Sequence, residues 1–230
     1  NKKSFAKDIC MDAIGNLYIT GYYTGALTLG SSNLPDLNNF SMFYAKLNNQ
    51  GELINGMYHS HYGDEIGLSI GVDANANIYI CCAISNSTDY RHPSWLLKYD
   101  QTNNLVSEVH YEVGFNNLLV DGNSIYYSGV MQSYNNGYLD ENVTLTTTST
   151  YNDFFLTKSS LDGVFEWGIT PTHEGFGDSG KDCLAIDNVG NIFLAGTYRG
   201  SLIFGDYSIL PGGVFITKFN PQGNPLWLNQ

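Results

Sequence analysis

Charged residues are scarce in this 230-residue chain, and basic residues scarcer still. Charged side chains make up 14% of the sequence, and 10 Lys and Arg stand against 22 Asp and Glu, which gives a formal net charge of −12. Nucleic acids and anionic membrane surfaces are bound through basic patches. This balance therefore predicts that the protein has no nucleic-acid partner.

Long apolar runs and enzyme signature motifs are also missing. No stretch approaches the roughly 20 apolar residues of a membrane-spanning helix, which predicts no direct membrane insertion. The sequence has no G-x-S-x-G, no phosphate-binding loop, no dinucleotide fingerprint and no H-E-x-x-H. We therefore predict that the chain is not an enzyme. A hydrolase or lyase that uses acidic residues near a central axis is the alternative, although no pattern selects a pair among the 22 acids.

Aromatic and turn-forming residues are abundant. Aromatics reach 14% with 17 Tyr, and 25 Gly contrast with 6 Pro. Aromatic and β-branched residues favour strands, whereas Gly, Asn and Asp favour tight turns. This composition predicts an all-β protein.

A motif recurs four times along the chain. Each copy reads as an apolar strand, an Asp, a tight polar turn and a second apolar strand, and the four acids are Asp12, Asp73, Asp121 and Asp187. A third strand follows that ends in Lys, at Lys46, Lys98, Lys158 and Lys218. We expect these lysines to be structural, with the aliphatic stem packed between repeats.

Four units of four short strands are typical of propeller blades. We predict one β-propeller domain over residues 1–230 that is built from four four-stranded blades. The approximate blades are 4–62, 63–113, 114–174 and 175–230. The sequence leaves open whether they close into a four-bladed ring or belong to a larger propeller.

The repeated frame resembles a known family. It is similar to the bacterial SBBP-type β-propeller repeat, and the frame reads D-x-x-G-N-[LI]-Y-[IV]-T-G, then F-[ILY]-[AT]-K-L, then G-x-x-x-W. The likeness spans essentially the whole chain and is strongest in the first and fourth copies, whereas the second departs at Ala76 and at Cys81-Cys82. The resemblance implies a secreted or cell-surface, extracellular bacterial protein, but no single activity.

The loops between the second and third strands of each copy differ most in length. Variable loops on a rigid scaffold often carry binding. We therefore predict a non-enzymatic binding or display scaffold that presents these loops to a protein or glycan partner. The candidate ligand-binding aromatics are Tyr22, Tyr23, Tyr90, Tyr134, Tyr138, Tyr198 and Tyr207, each with packing between blades as the alternative reading. A structural subunit, or secretion-system cargo, in a larger envelope assembly is the alternative function.

Three histidines are candidate metal ligands. His59 and His61 are two residues apart, so their rings share one face of a strand, and His173 occupies the matching connection of the third copy. With an acidic partner these residues would suit zinc, and exposed loop histidines are the alternative.

Other ions and bonds are less well marked. The Asp- and Asn-rich turns offer oxygen ligands for calcium, but no complete calcium-binding loop motif occurs, so we otherwise expect no cofactor. Whether Cys10 and Cys183 form a disulfide stays open.

Overall fold

The computed structural model describes residues 2–61, 63–84, 94–131, 137–147, 153–174, 177–210 and 212–230, without the side chains of residues 173–182. The described residues form strands and turns only, which confirms the predicted all-β class. Within this part of the chain no helix is long and apolar enough to cross a membrane.

The strands are named in chain order. Those of the first half are β1 (Lys3–Met11), β2 (Leu17–Thr24), β3 (Leu27–Leu29), β4 (Ser32–Leu34), β5 (Ser41–Leu47), β6 (Leu53–His59), β7 (Glu65–Val72), β8 (Ile78–Ile84), β9 (Ser94–Tyr99) and β10 (Leu105–Tyr111). Those of the second half are β11 (Gly114–Asp121), β12 (Ser124–Met131), β13 (Gly137–Tyr138), β14 (Thr144–Leu145), β15 (Asp153–Ser160), β16 (Phe165–Ile169), β17 (Thr172–Glu174), β18 (Gly177–Ile186), β19 (Ile192–Tyr198), β20 (Ser201–Phe204), β21 (Tyr207–Ile209), β22 (Gly213–Phe219) and β23 (Pro225–Asn229).

Four antiparallel sheets of four strands follow one another. Sheet 1 has the order β1-β2-β5-β6, sheet 2 β7-β8-β9-β10, sheet 3 β11-β12-β15-β16 and sheet 4 β18-β19-β22-β23. Short hairpins lie between the second and third strands of sheets 1, 3 and 4, namely β3–β4, β13–β14 and β20–β21, and β17 adds a third strand beside β20. Each sheet therefore corresponds to one copy of the sequence motif.

Two compact units are distinguished by their internal contacts, residues 1–111 and 112–230. In the first unit, Tyr18 and Tyr44 of sheet 1 pack with Leu97 and Tyr99 of sheet 2. We call the face of a sheet that meets the next sheet its forward face, and the opposite face its backward face. The second unit repeats this arrangement between sheets 3 and 4 in a larger aromatic cluster that includes Phe154.

The repeated aspartate builds the first turn of each sheet. Asp12 Oδ1 accepts hydrogen bonds from the main-chain N–H groups of Ile14 (3.1 Å) and Asn16 (2.8 Å). Its Oδ2 accepts from the Asn16 side-chain amide (2.8 Å) and the Tyr18 hydroxyl (3.0 Å). Burial raises the pKa of Asp12, but these bonds outweigh it, so the pKa lies below its ordinary value. Asp73 has the same four kinds of partner.

The repeated lysine lies over the aromatic ring opposite it in the sheet. The Nζ-to-centroid distances are 5.1 Å for Lys46–Tyr18, 5.3 Å for Lys98–Tyr79, 5.8 Å for Lys158–Tyr126 and 4.9 Å for Lys218–Phe193. Phe193 lacks the hydroxyl that Tyr18 donates to Asp12, and Lys218 instead reaches Asp187 Oδ2 at 3.2 Å. Each contact is a cation–π pair, worth about 0.5–1 kcal/mol when exposed.

A bulge recurs where the first two strands of each sheet meet. A Cβ at Gly21 would lie 1.9 Å from the Phe5 carbonyl oxygen, and one at Gly129 equally close to that of Gly114. Register shifts in both strand pairs mark the bulge. At these two positions a side chain would collide with the backbone of the neighbouring strand, so glycine is required.

Candidate functional site

A group of histidine and glutamate side chains lies at the margin between sheets 1 and 2, inside the first unit. His59 ends β6, His61 follows it by two residues, Glu65 begins β7 and Glu108 lies within β10. Tight packing of the two sheets brings Glu108 to the segment that carries His59, His61 and Glu65, although it lies far from them in the sequence.

Glu65 fixes the geometry of both histidines. Its side chain is 3% exposed. Oε2 lies 2.7 Å from His59 Nδ1, and Oε1 accepts the main-chain N–H of His61 at 2.7 Å. A carboxylate on Nδ1 leaves Nε2 as the atom with which His59 can bind a ligand.

Glu108 completes a group of three ligand atoms. Its Oε2 is 3.8 Å from His59 Nε2 and 3.5 Å from His61 Nδ1, and the three residues offer atoms that all lie within 4.8 Å of one another. A tetrahedral ion with bonds of about 2.1 Å holds its ligand atoms roughly 3.4 Å apart. Both distances to Glu108 are close to that spacing.

The electrostatics favour a positive charge at this position. Burial lowers the pKa of His59, but the hydrogen bond and charge of Glu65 and the charge of Glu108 outweigh it, so the pKa is raised. Among the described residues, buried Glu108 Oε1 has no hydrogen-bond partner. A buried carboxylate oxygen without a donor is unfavourable unless a cation is near. The site therefore favours a proton on His59 or a bound cation.

The seven candidate tyrosines fall into different environments. Tyr23 and Tyr198 are 1% and 3% exposed, so they pack in the interior and offer no surface to a ligand. Tyr22 is half-buried and stacks on Phe5 with ring centroids 5.0 Å apart.

Only two of the candidates are exposed in the described part of the chain. Tyr138 is 60% and Tyr207 38% exposed, both in the second unit. Tyr90 and Tyr134 lie outside the described residues. A protein or glycan partner at these loops therefore stays a prediction.

The other predicted ion and cysteine sites fall on other residues. His173 lies in β17, in the other compact unit, and its side chain is not among those described. Both carboxylate oxygens of Asp73 accept hydrogen bonds from its own turn, so the turn is satisfied without calcium. None of the four cysteines, all described, forms a disulfide, and burial with the nearby Asp8 and Asp12 charges raises the pKa of Cys10 to about 12.

The sequence did not indicate Glu108, which lies 47 residues from His61. A signal was nevertheless present. Glu108 pairs with the residue just before the repeated lysine, and the equivalent positions carry Gly56, Gly168 and Leu228. An acid at an inward position that is otherwise small or apolar marks the site.

Comparison with known proteins gives likeness of fold only. No family model matches the sequence, and no curated protein matches it. Among solved structures, an ACO/RPE65 chimera is similar at 8% identity with a TM-score of 0.52, over 99% of this chain and 50% of that chain. Two mutants of the Synechocystis apocarotenoid oxygenase (ACO) give 8% identity and TM-scores of 0.47, over 94% of this chain and 47% of theirs. The chain thus spans about half the length of these structures.

This likeness contradicts the prediction that the chain is not an enzyme. That prediction depended on missing signature motifs, whereas the matched chimera is named for an oxygenase, so a fold of this kind serves enzymes. At 8% identity the likeness shows the fold and no particular reaction. The resemblance to the SBBP-type repeat stays a prediction, because no family model and no curated protein matches the sequence.

Proposed function

We propose that this chain binds a divalent transition-metal ion through His59, His61 and Glu108. The observation that carries the proposal is that ligand atoms of these three residues, which come from two separate segments of the chain, all lie within 4.8 Å of one another. Two imidazoles and one carboxylate form the ligand set of many zinc sites and of non-haem iron(II) sites. Zinc and iron(II) are therefore the ions to test first.

The surroundings of the three ligands fit an ion. Metal-bound histidines usually donate their other ring N–H to a carboxylate, and Glu65 holds His59 Nδ1 in that way. Glu108 Oε1, buried without a described partner, would gain a cation within reach. A bound ion would also replace the proton on His59, which makes affinity fall as the pH is lowered.

Catalysis at the ion is the second candidate function. Three protein ligands leave at least one position open, which is the arrangement of catalytic rather than structural zinc sites. The His61 side chain is 62% exposed, so solvent and small molecules have access to that position. The likeness of fold to oxygenases supports this candidate without selecting a reaction.

The scaffold that we propose is a β-propeller of four four-stranded blades. Support comes from the four equivalent sheets and from the forward-to-backward packing that recurs in both units. Whether this scaffold is secreted or surface-attached, and which partner its loops contact, stay predictions from the resemblance.

Metal titration of the metal-free chain tests the proposal. We expect one equivalent of zinc or cobalt(II) to bind in calorimetry, with cobalt giving the visible absorption of a low-symmetry site. His61→Ala and Glu108→Gln should weaken binding by about 100-fold, since each removes a ligand.

His110→Ala is the matched control, because His110 is an exposed histidine of β10 that does not belong to the ligand group. Binding that is absent in the wild type, or equally affected by the control and by His61→Ala, would exclude the proposed site. Binding without turnover would exclude only the second candidate.

A further inference from the structure

The two sheets that begin and end the chain each carry an exposed apolar face. On the backward face of sheet 1, Ile9 and Met11 are 57% and 65% exposed. On the forward face of sheet 4, Val214 and Ile216 are 66% and 43% exposed. Exposed apolar side chains that cluster on one face usually mark an interaction surface.

The equivalent positions of the other sheets are buried. Ile216 stands two residues before the repeated lysine, as Tyr44 does in sheet 1 and Leu156 in sheet 3. Tyr44 is 0% and Leu156 1% exposed. Val214 stands four residues before that lysine, as does Phe154, which is 0% exposed. The forward face of sheet 4 is thus an interface of the repeat whose apolar side chains are exposed.

The backward face of sheet 1 is open in the same way. It forms an apolar cavity of about 400 Å³, lined by Ile19, Phe43, Leu47 and Gly51 together with the β3–β4 hairpin. Leu47 follows the repeated lysine directly, as Tyr99 does in sheet 2, and Tyr99 packs on Tyr44 with ring centroids 5.1 Å apart. The cavity on sheet 1 therefore lies at the position that, on sheet 2, is filled by side chains from the forward face of the preceding sheet.

The hairpin and turn beside the cavity support this reading. In the second unit, Phe204 of the β20–β21 hairpin is 4% exposed and packs on Phe154 of sheet 3 at 6.0 Å. The corresponding Leu29 of β3–β4 lines the open cavity.

The turn at Gly51 gives a second such comparison. Trp167 of sheet 3 lies against the turn at Gly223, where a Cβ would meet its ring at 3.0 Å. A Cβ at the equivalent Gly51 would meet nothing within 4 Å. Trp227, which pairs with Lys218 as Trp167 pairs with Lys158, is the sheet 4 residue that would fill this space.

We propose that the forward face of sheet 4 docks on the backward face of sheet 1 of a second copy of this chain. Ile216 would pack over Leu47, Val214 over Phe43 and Trp227 over the turn at Gly51. The argument is continuity with an interface that the chain already builds twice, from the same repeat positions. The contact is head-to-tail, so it generates a ring or an open chain of copies.

Sedimentation of the full chain over a range of concentrations tests the proposal. We expect the weight-average mass to rise with concentration. Ile216→Glu should weaken association by about tenfold or more, because docking would bury an unpaired charge. Val189→Glu is the matched control, since Val189 is 70% exposed in the β18–β19 turn, away from either face. Circular dichroism should show both variants folded.

A cross-link identifies the contact directly. Oxidation of a mixture of Leu47→Cys and Ile216→Cys chains should give a covalent heterodimer by intact mass, whereas Leu47→Cys with Val189→Cys should not. A wild type that stays monomeric at its highest soluble concentration would overturn the proposal. So would equal behaviour of the two glutamate variants, or a disulfide within single chains that carry both cysteines.

Discussion

The two compact units use the same sheet-to-sheet interface with different chemistry at its margin. In the first unit Glu108 stands opposite the residue before Lys98, close to His59 and His61. In the second unit the equivalent Leu228 is 7% exposed and belongs to the apolar cluster between sheets 3 and 4. The same repeat position is therefore occupied by a charged ligand candidate in one unit and by an apolar core residue in the other.

The first strands of sheets 1 and 3 differ in the same sense. Asp8 Oδ2 in the first unit accepts a hydrogen bond from the Ser69 hydroxyl at 2.6 Å and one from the main-chain N–H of Ile70 at 2.8 Å. At the equivalent position of the second unit, the Asn117 amide reaches Cys183 Sγ at 3.6 Å. At this position the first unit thus joins its sheets through a charged carboxylate and the second through a neutral amide, and the frame of turns and lysines tolerates both.

The largest expected effect concerns the bulge, which the two units share. Gly21→Ala in the first unit and Gly129→Ala in the second should each lower the free energy of unfolding by about 3 kcal/mol or more, because a Cβ collides with a carbonyl oxygen. Cys82 fills the same slot of sheet 2 opposite Gly67, so Cys82→Ala should cost about 1 kcal/mol. Urea unfolding measures all three, and equal losses would show that the bulge is not what selects glycine.

Glu108→Leu gives the first unit the residue that the second unit has at the equivalent position, Leu228. We expect zinc affinity to fall by about 100-fold, while the metal-free chain keeps its stability to within about 1 kcal/mol because a buried, incompletely paired acid is removed. Glu112→Leu, a change at an exposed acid four residues further along the chain, should leave affinity unchanged. Zinc calorimetry and urea unfolding check both parts. Retained affinity in Glu108→Leu would place the ion elsewhere.

Asp8→Asn tests the polar link between sheets 1 and 2. The amide keeps the shape of the carboxylate but loses its charge-assisted bonds to Ser69 and Ile70, so we expect a loss of about 1–2 kcal/mol in unfolding free energy. Asp121→Asn, at an exposed turn acid, is the control and should change little. A loss no greater than that of the control would mean that the Asp8 carboxylate does not stabilise the contact between the sheets of the first unit.

Acid should destabilise both units through their turn aspartates. Hydrogen bonds from Asn104 and Thr102 hold the pKa of Asp100 at about 2, and those from Asn191 do the same for Asp187. Because these folded values lie below the unfolded value of about 3.9, the stabilisation is complete above that pH and is lost as the pH falls towards 2. Urea unfolding at stepped pH should show this loss, and Asp187→Asn should flatten it. An unchanged slope in the variant would assign the acid sensitivity to other carboxylates.

The smallest effect is expected at the departure in the second copy of the motif. Ala76 has a φ of +60°, where the first and fourth copies have Gly15 and Gly190 at +88° and +81°. Ala76→Gly should therefore raise the unfolding free energy by about 0.5–1 kcal/mol. Ala74→Gly in the same turn, where no positive φ is needed, should be neutral or slightly destabilising. Thermal unfolding distinguishes the two.

Much of the architecture could be predicted because its causes are local. The Asp turns hold themselves with bonds to residues two to six positions ahead, as Asp12 does with Asn16 and Tyr18. The repeated lysines could be recognised from spacing alone, although only the structure placed them over aromatic rings. His59 and His61 were candidates because alternation along a strand puts both rings on one face.

The amino-acid sequence by itself determined the strands, the turns and the fourfold repetition, since these depend on residues close together in the chain. Tertiary structure decided which inward position carries function. Glu108 reaches the histidines only because two sheets pack face to face, and Tyr23 is excluded as a ligand residue only because the fold buries it. Contacts between distant segments depend on packing, and no local pattern of residues specifies them.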